Sequence, residues 1–419
     1  MSVILKQQQQ QQFFDKIPIT RPFFNDAEEE AIQQVVRSGW LVQGPRVAEF
    51  ESIFRDFVGI NHALATTSCT TALHLALLAA GIKPGDEVLI PSFTFIATAN
   101  AVEYTGAKPV FMDIDIDTFT IDHEKIREYL INREQRVSTQ LKCIIPVSLF
   151  GLCADMEAIN EIANGHGLMV IEDAACGFGA KREGYYAGTE AMAGVFSFHP
   201  RKAITTGEGG MLVTNDDSFA DKVKKMRDHG ASKSDLERHL KEGGSLLPEY
   251  KMLGFNYRMT DLQGALGIAQ MDKAQTIICG RQEAAARYDK LLQGIPEIRT
   301  PFTPKGYTHS YQSYICIYKA NDTELKNEGR IDWDQISEWN KERNHLMAAL
   351  EHSGISVRQG THAVHTLGYY KSKYGLKDHD YPMSYIADQL SITLPLYFGM
   401  TEQEQIRVVN ALQMYIQQS

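Results

Sequence analysis

The segment GVFSFHPRKAITTGEGGMLVTND, residues Gly194–Asp216, carries two short apolar runs joined by a glycine-bearing loop. The first run ends at Ser197–Phe198, a turn at Pro200 presents Arg201 and Lys202, and Thr205-Thr206-Gly207-Glu208-Gly209-Gly210 leads into the second run, Met211–Thr214. The loop is not a Walker loop, because the G-x-x-x-x-G-K-[ST] spacing is absent. A lysine between two apolar strands is placed against a cleft, where desolvation lowers its pKa and makes the amine a nucleophile for a carbonyl. A lone lysine is far more often a solvated surface residue. Lys202 therefore gains meaning only together with other segments.

Working outward, short apolar runs alternate with helical stretches: Ala63–Ala65 then Thr71–Ala80, Glu87–Ile90 then Ala97–Tyr104, Pro109–Met112, Cys143–Val147 then Met156–Ala163, and Leu168–Ile171. This alternation predicts an α/β layer fold around a largely parallel sheet. Upstream, Asn25 is an N-cap for an acid-led helix that stops at Gly39, and a second helix covers Val47–Phe57. Downstream, a long helical stretch runs from Asp261 towards Leu292 and breaks at Gly294 and Pro296. Beyond it come a strand (Tyr314–Tyr318), a polar insertion (Asn321–Asp334), a helix to about His352, and terminal helices near Pro382–Leu390 and Thr401–Ile416. The expected organisation is a flexible arm at 1–18 holding the Gln7–Gln12 run, a large domain at 19–275, and a smaller α+β domain at 276–419. No 20–50-residue repeat is present.

The 419 residues are 43% hydrophobic, which excludes disorder for the bulk of the chain, and the net charge of -10 excludes an overall basic field that would gather nucleic acid or anionic membrane. An anionic ligand needs a local pocket. Six cysteines (Cys69, Cys143, Cys153, Cys176, Cys279, Cys316) lie far apart with no C-x-x-C pair, which fits a reducing cytoplasm rather than a disulfide framework. The start, MSVILK, is too short in apolar residues for a signal-peptide core, and no 18-residue apolar run predicts a membrane span.

Two further segments complete the combination. In TTSCTTALHLALLAAG (Thr66–Gly81) a strand end runs into a helix start bearing Ser68, Thr70 and Thr71; its amides and hydroxyls suit a phosphate, and equally suit ordinary N-capping. In LMVIEDAA (Leu168–Ala175) a buried strand delivers Glu172 and Asp173 at its C-terminal end, either to a ligand crevice or as loop and cap residues. A phosphate cradle, a strand-end carboxylate and a loop lysine are the parts pyridoxal phosphate requires: an anchor, a partner for the pyridinium nitrogen, and a Schiff-base lysine.

DEVLIPSFTFIATANAV (Asp86–Val102), VIEDAACGFGA (Val170–Ala180), FSFHPRKAITTGEGG (Phe196–Gly210) and GFNYRMTDLQGALG (Gly254–Gly267) resemble, in that order, the motifs of the DegT/StrS nucleotide-sugar aminotransferases. The resemblance runs from about Ile19 to the C-terminus. It implies fold type I, with a large pyridoxal-phosphate domain built on a mixed, mostly parallel sheet flanked by helices. Lys202 then matches the Schiff-base lysine that also shuttles the proton, and Asp173 the carboxylate on the pyridine nitrogen. Phe95 matches the aromatic that stacks on the ring. Ser197, Thr70 and the backbone around Cys69 match the phosphate grip. Asn256, with Arg258, lies in the motif that reaches the cofactor phosphate of the other subunit, so a homodimer is implied.

Three positions depart from the family pattern. Cys176 stands where Gln or His usually sits near the ring hydroxyl, Ser148 replaces a frequent His in VSLFG, and Cys69 replaces a common Gly, where a side chain crowds the phosphate loop. The activity the resemblance implies is transfer of an amino group from L-glutamate to a keto sugar, nucleotide-linked, for amino-sugar or surface-polysaccharide biosynthesis. A sugar dehydratase, in which His replaces the lysine, and a non-catalytic binding protein on the same fold are the alternatives. His362 and His365 in GTHAVH have i, i+3 spacing without the further ligands a metal needs; by position in the family their loop lines the substrate cleft. The polar insertion Ser232–Tyr250 reads either as a solvated flap or as a determinant of substrate identity.

Overall fold

The computed structural model describes residues 16–134, 140–233, 236, 247–319 and 331–417. The Gln7–Gln12 run, most of the 232–250 insertion and most of the polar insertion after residue 320 lie outside the described residues.

Alternating strands and helices build a seven-stranded sheet from β1 (His62–Thr66), β2 (Glu87–Pro91), β3 (Lys108–Met112), β4 (Leu141–Ile144), β5 (Met169–Asp173), β6 (Ala193–Ser197) and β7 (Gly210–Thr214). Their spatial order is β1-β7-β6-β5-β4-β2-β3. The pairs from β3 to β6 are parallel, whereas β7 runs antiparallel to both β6 and β1. Parallel strands buried on both faces read as continuous apolar runs, which is why VLI, VIE and GVF stood out in the sequence.

One face of the sheet is covered by the helix Cys69–Ala79, whose Ala72, Leu73, Leu75, Ala76 and Leu77 are all buried. The other face receives Pro45–Val58, whose Phe50 and Phe54 meet Phe196 of β6 and Phe198 just beyond it, with Phe54 and Phe196 ring centroids 5.0 Å apart. The first helix, Asp26–Ser38, begins with a capping box between Asn25 and Glu28 and ends at Gly39, which takes φ 73°.

The stretch from Asp261 does not form one helix. It divides into Asp261–Met271 and Ala274–Leu291, and at the break Gln270 and Lys273 both turn to the carboxylate of Glu28. The second of these helices packs Ile277 and Ile278 with the phenylalanine layer and Ala284, Ala285 and Tyr288 with a separate cluster further along the chain. That cluster is built on an antiparallel sheet of Ile298–Arg299, Tyr314–Tyr318 and Ser391–Leu394, covered by Trp333–His352 and Glu402–Ile416.

A short ribbon ties the two regions together. His362 and Ala363 pair antiparallel with Thr94 and Phe93, the His365 ring nitrogen Nδ1 lies 2.5 Å from Ser92 Oγ, and Val364 N donates to Ser92 O.

Candidate active site

The antiparallel strand β7 decides where the site lies. Because it runs against its neighbours, its first residue, Gly210, stands beside the last residues of β1 and β6, pairing with Thr66 on one side and Ser197 on the other. Asp173 ends β5 one strand further along, opposite Val195. Thr66, Gly210, Ser197 and Asp173 therefore line one edge of the sheet, the edge where ligands bind in open α/β folds. Gly210 is required there: a Cβ would fall 2.5 Å from Cys69 N and 2.4 Å from the Ser68 carbonyl carbon. The backbone at the start of the helix Cys69–Ala79 thus sits against the strand itself.

At that helix start the capping reading and the phosphate reading are compatible. Ser68 and Thr71 form a capping box, each side chain serving the other's amide, so their hydroxyls are engaged inside the turn. Thr70 stays half-buried, and the Cys69 side chain is buried among the core residues beneath the helix. Burial, reinforced by Asp173, pushes the Cys69 thiol well above the usual range, so it is neutral at physiological pH.

Asp173 is 4% exposed, and both carboxylate oxygens are engaged: Oδ2 accepts from Thr98 Oγ1 at 2.8 Å and Oδ1 from the Ala175 amide at 3.1 Å. Burial raises its pKa, while these two bonds and Lys202 oppose the rise. Thr98 was missed in the sequence reading. Its hydroxyl also lies 3.1 Å from that of Thr94, a residue of the ribbon just before its helix, a pairing that the sequence alone does not signal. Thr98→Val is expected to raise the pH at which Asp173 takes up a proton and to lower turnover about three- to tenfold, one hydrogen bond's worth; a pH–rate profile checks both.

Glu172 points the other way from the same strand and is fully buried. It accepts from Ser148 Oγ at 2.5 Å and from the Gly188 amide at 2.7 Å, which gives Ser148 a role as its partner. Burial pushes its carboxyl up to about 7. Since the folded state then holds this proton more tightly than the unfolded chain, the contribution is unfavourable wherever Glu172 must ionise. Stability is expected to fall as pH rises from the ordinary glutamate range to about 7. Glu172→Gln should flatten that part of a Tm-against-pH curve, and an unchanged slope would count against the assignment.

Lys202 reaches the same edge from the loop after β6, and its Nζ donates to Cys176 Sγ at 3.0 Å. The sequence suggested a depressed amine pKa. Burial does pull the amine down, but the Cys176 sulfur in contact with it and the Asp173 carboxylate nearby oppose that pull, so that the amine is lifted above the ordinary lysine value. Ser197 accepts from the His199 amide at 3.4 Å.

Phe95 follows the ribbon residue Thr94 and precedes the helix carrying Thr98, with 63% of its surface exposed. Asn256 and Arg258 are not brought to Lys202. They lie beside the β1 edge, where Arg258 bonds Asn256 Oδ1 at 3.2 Å and Asp228 Oδ1 at 2.8 Å. His362 and His365 do not converge: His362 Nδ1 stands 4.0 Å from Asp388, while His365 is buried between Ser92 Oγ and the Asp378 carbonyl.

The donor set fits pyridoxal phosphate. A buried carboxylate, a lysine amine beside it and a helix start packed against Gly210 stand along one strand edge, matching the cationic ring nitrogen, the aldehyde and the phosphate of that group.

Residues 23–413 match the DegT/DnrJ/EryC1/StrS aminotransferase family. The chain is 36% identical over 396 residues to the spore coat polysaccharide biosynthesis protein SpsC of Bacillus subtilis, covering 94% of this chain and 96% of that one. Its fold superimposes on a DegT/DnrJ/EryC1/StrS aminotransferase from Brucella abortus with a TM-score of 0.79 at 29% identity, over 93% of this chain and 95% of the other. The aminotransferase TlmJ from Streptoalloteichus hindustanus gives a TM-score of 0.82 at 26% identity, over 96% and 99%. The architecture is that of the fold-type-I aminotransferases, and the chain belongs to the DegT/DnrJ/EryC1/StrS aminotransferase family.

Proposed function

We propose that the protein uses pyridoxal phosphate to move an amino group from L-glutamate onto a keto sugar, nucleotide-linked, in a pathway of amino-sugar or surface-polysaccharide synthesis. The observation that carries the reading is the placement of Lys202 and the buried Asp173 on one strand edge, joined through the Cys176 turn. When bound, the cofactor supplies an electron sink that stabilises negative charge on the carbon losing its proton.

The rest is the work of the chain. Lys202 Nζ would hold the cofactor and, once freed by the incoming amine, would take the proton from the donor carbon and deliver it to the cofactor's carbon, the shift that moves the amino group. Asp173 would keep the cofactor's ring nitrogen protonated through its charge, with Thr98 holding that carboxylate in place. Ser197, Thr70 and the amides around Cys69 hold the phosphate without net positive charge, which suits a chain of net charge -10. Phe95 covers the ring face. Residues 19–275 carry the cofactor and 276–419 close over the sugar.

We further read Asn256 and Arg258, which lie beside the β1 end of the sheet, as the residues that reach the partner's cofactor phosphate in a homodimer. All six cysteines are free, which accords with a cytoplasmic setting. The test is direct: purified protein given pyridoxal phosphate should turn yellow, fix the group on Lys202 with borohydride, bleach with L-glutamate, and regain colour with the right keto sugar. Colour that L-glutamate fails to bleach would overturn the donor assignment, and water-loss products without an amino sugar would favour the dehydratase.

A further inference from the structure

Cys176 is placed by an ordered turn. Gly177 N donates to Ala174 O at 2.8 Å, Ala175 N to Asp173 Oδ1 at 3.1 Å, and a Cβ at Gly177 would lie 2.8 Å from the Ala187 Cβ, so the turn is packed from behind. It brings the thiol sulfur to 3.0 Å from Lys202 Nζ, close enough for an N–H donor to bond to sulfur. Lys202 is faced by Cys176 and Asp173 from this turn, by Cys69 from the helix start, and by His199 on its own loop.

Two of these groups cannot hold a proton on the amine. Burial keeps Cys69 a neutral thiol and pulls His199 down towards its neutral form. Asp173 acts at longer range, with both its oxygens already accepting hydrogen bonds. Cys176 is the side chain in direct contact.

We propose that Cys176 is a positioning residue whose sulfur holds a proton on the Lys202 nitrogen and so sets the pH at which Lys202 captures an aldehyde. Capture requires the neutral amine: its lone pair forms the C–N bond, the aldehyde oxygen leaves as water, and starting from the ammonium one proton is released to solvent. A group that favours the ammonium slows this step at neutral pH and moves its midpoint upward. The inference rests on the reading of Lys202 as the cofactor-bearing lysine.

The experiment follows the growth of visible imine absorption when cofactor-free protein is mixed with pyridoxal phosphate across a pH series, for wild type, Cys176→Ser, Cys176→Ala and Cys176→Val. Removing the acceptor in Ala and Val should move the midpoint down by about one pH unit and speed capture at neutral pH about tenfold. Ser, which keeps an acceptor, should stay near wild type. Ala is smaller and Val larger than Cys, so a shift shared by both is not a cavity effect, and thermal melting recognises a packing defect in either. Equal midpoints in all four proteins would overturn the proposal while leaving Lys202 intact. Absence of a borohydride-fixed adduct on wild-type Lys202 would overturn the underlying reading instead.

Discussion

Lys202→Ala is expected to lower steady-state amino transfer by at least about four orders of magnitude. On the roles proposed above, the variant loses both the nucleophile for the cofactor and the base that moves the proton, and positioned acid–base catalysis alone contributes about 10²–10⁴. The fold should survive, because the neighbours of Lys202 keep other partners: Asp173 retains Thr98 and Ala175, and the loop retains the Thr205 hydroxyl on the Phe198 carbonyl at 2.7 Å. Turnover of L-glutamate with an accepted keto sugar, measured beside a melting curve, separates the two effects. Retained turnover in a well-folded variant would remove Lys202 from the chemistry.

Asp173→Asn is the second large effect, a loss of about 10- to 150-fold in kcat. This corresponds to the roughly 1.5–3 kcal/mol of a charge-assisted hydrogen bond. An amide can still bond Thr98 and the Ala175 N–H, so geometry is kept while the charge that holds the ring nitrogen protonated is lost. Burial of an uncharged amide costs less than burial of a carboxylate. The variant should therefore melt no lower than wild type, and unchanged kcat would refute the electrostatic role.

Much of the fold was legible because its signals are local. Asn25, Glu28 and Gly39 bound a helix through side-chain and backbone chemistry contained within it, and the structure closes that helix at the same places. The apolar runs from Glu87 to Ile171 announced buried strands for a similar reason. What was not legible depends on partners distant in sequence. The division of the 261–292 stretch answers to Glu28, more than 240 positions away by |i−j| = 242 for its bond to Gln270.

The site divides in the same way. Lys202, Asp173 and the helix start at Ser68 were visible as residue types at strand ends. The electrostatics of Lys202 were not, because burial can be guessed from apolar flanks whereas a sulfur 26 positions away at 3.0 Å cannot. Thr98 and the Ser148–Glu172 pair escaped for the same reason: each acts across strands through a contact of sequence separation 75 or 24.

The sheet order also bears on how the chain is made. During synthesis β1 emerges first of the seven strands, yet among the described residues the strand it pairs with in the sheet is β7, with His62 paired to Thr214. Until the ribosome has released Thr214, β1 is an apolar segment with open hydrogen-bonding groups on both sides, the kind of edge that invites wrong pairing. The active-site edge at Thr66, Gly210 and Ser197 is therefore among the last parts of the sheet to close. A nascent chain halted before residue 210 carries the helix start at Ser68 without the strand that packs against it.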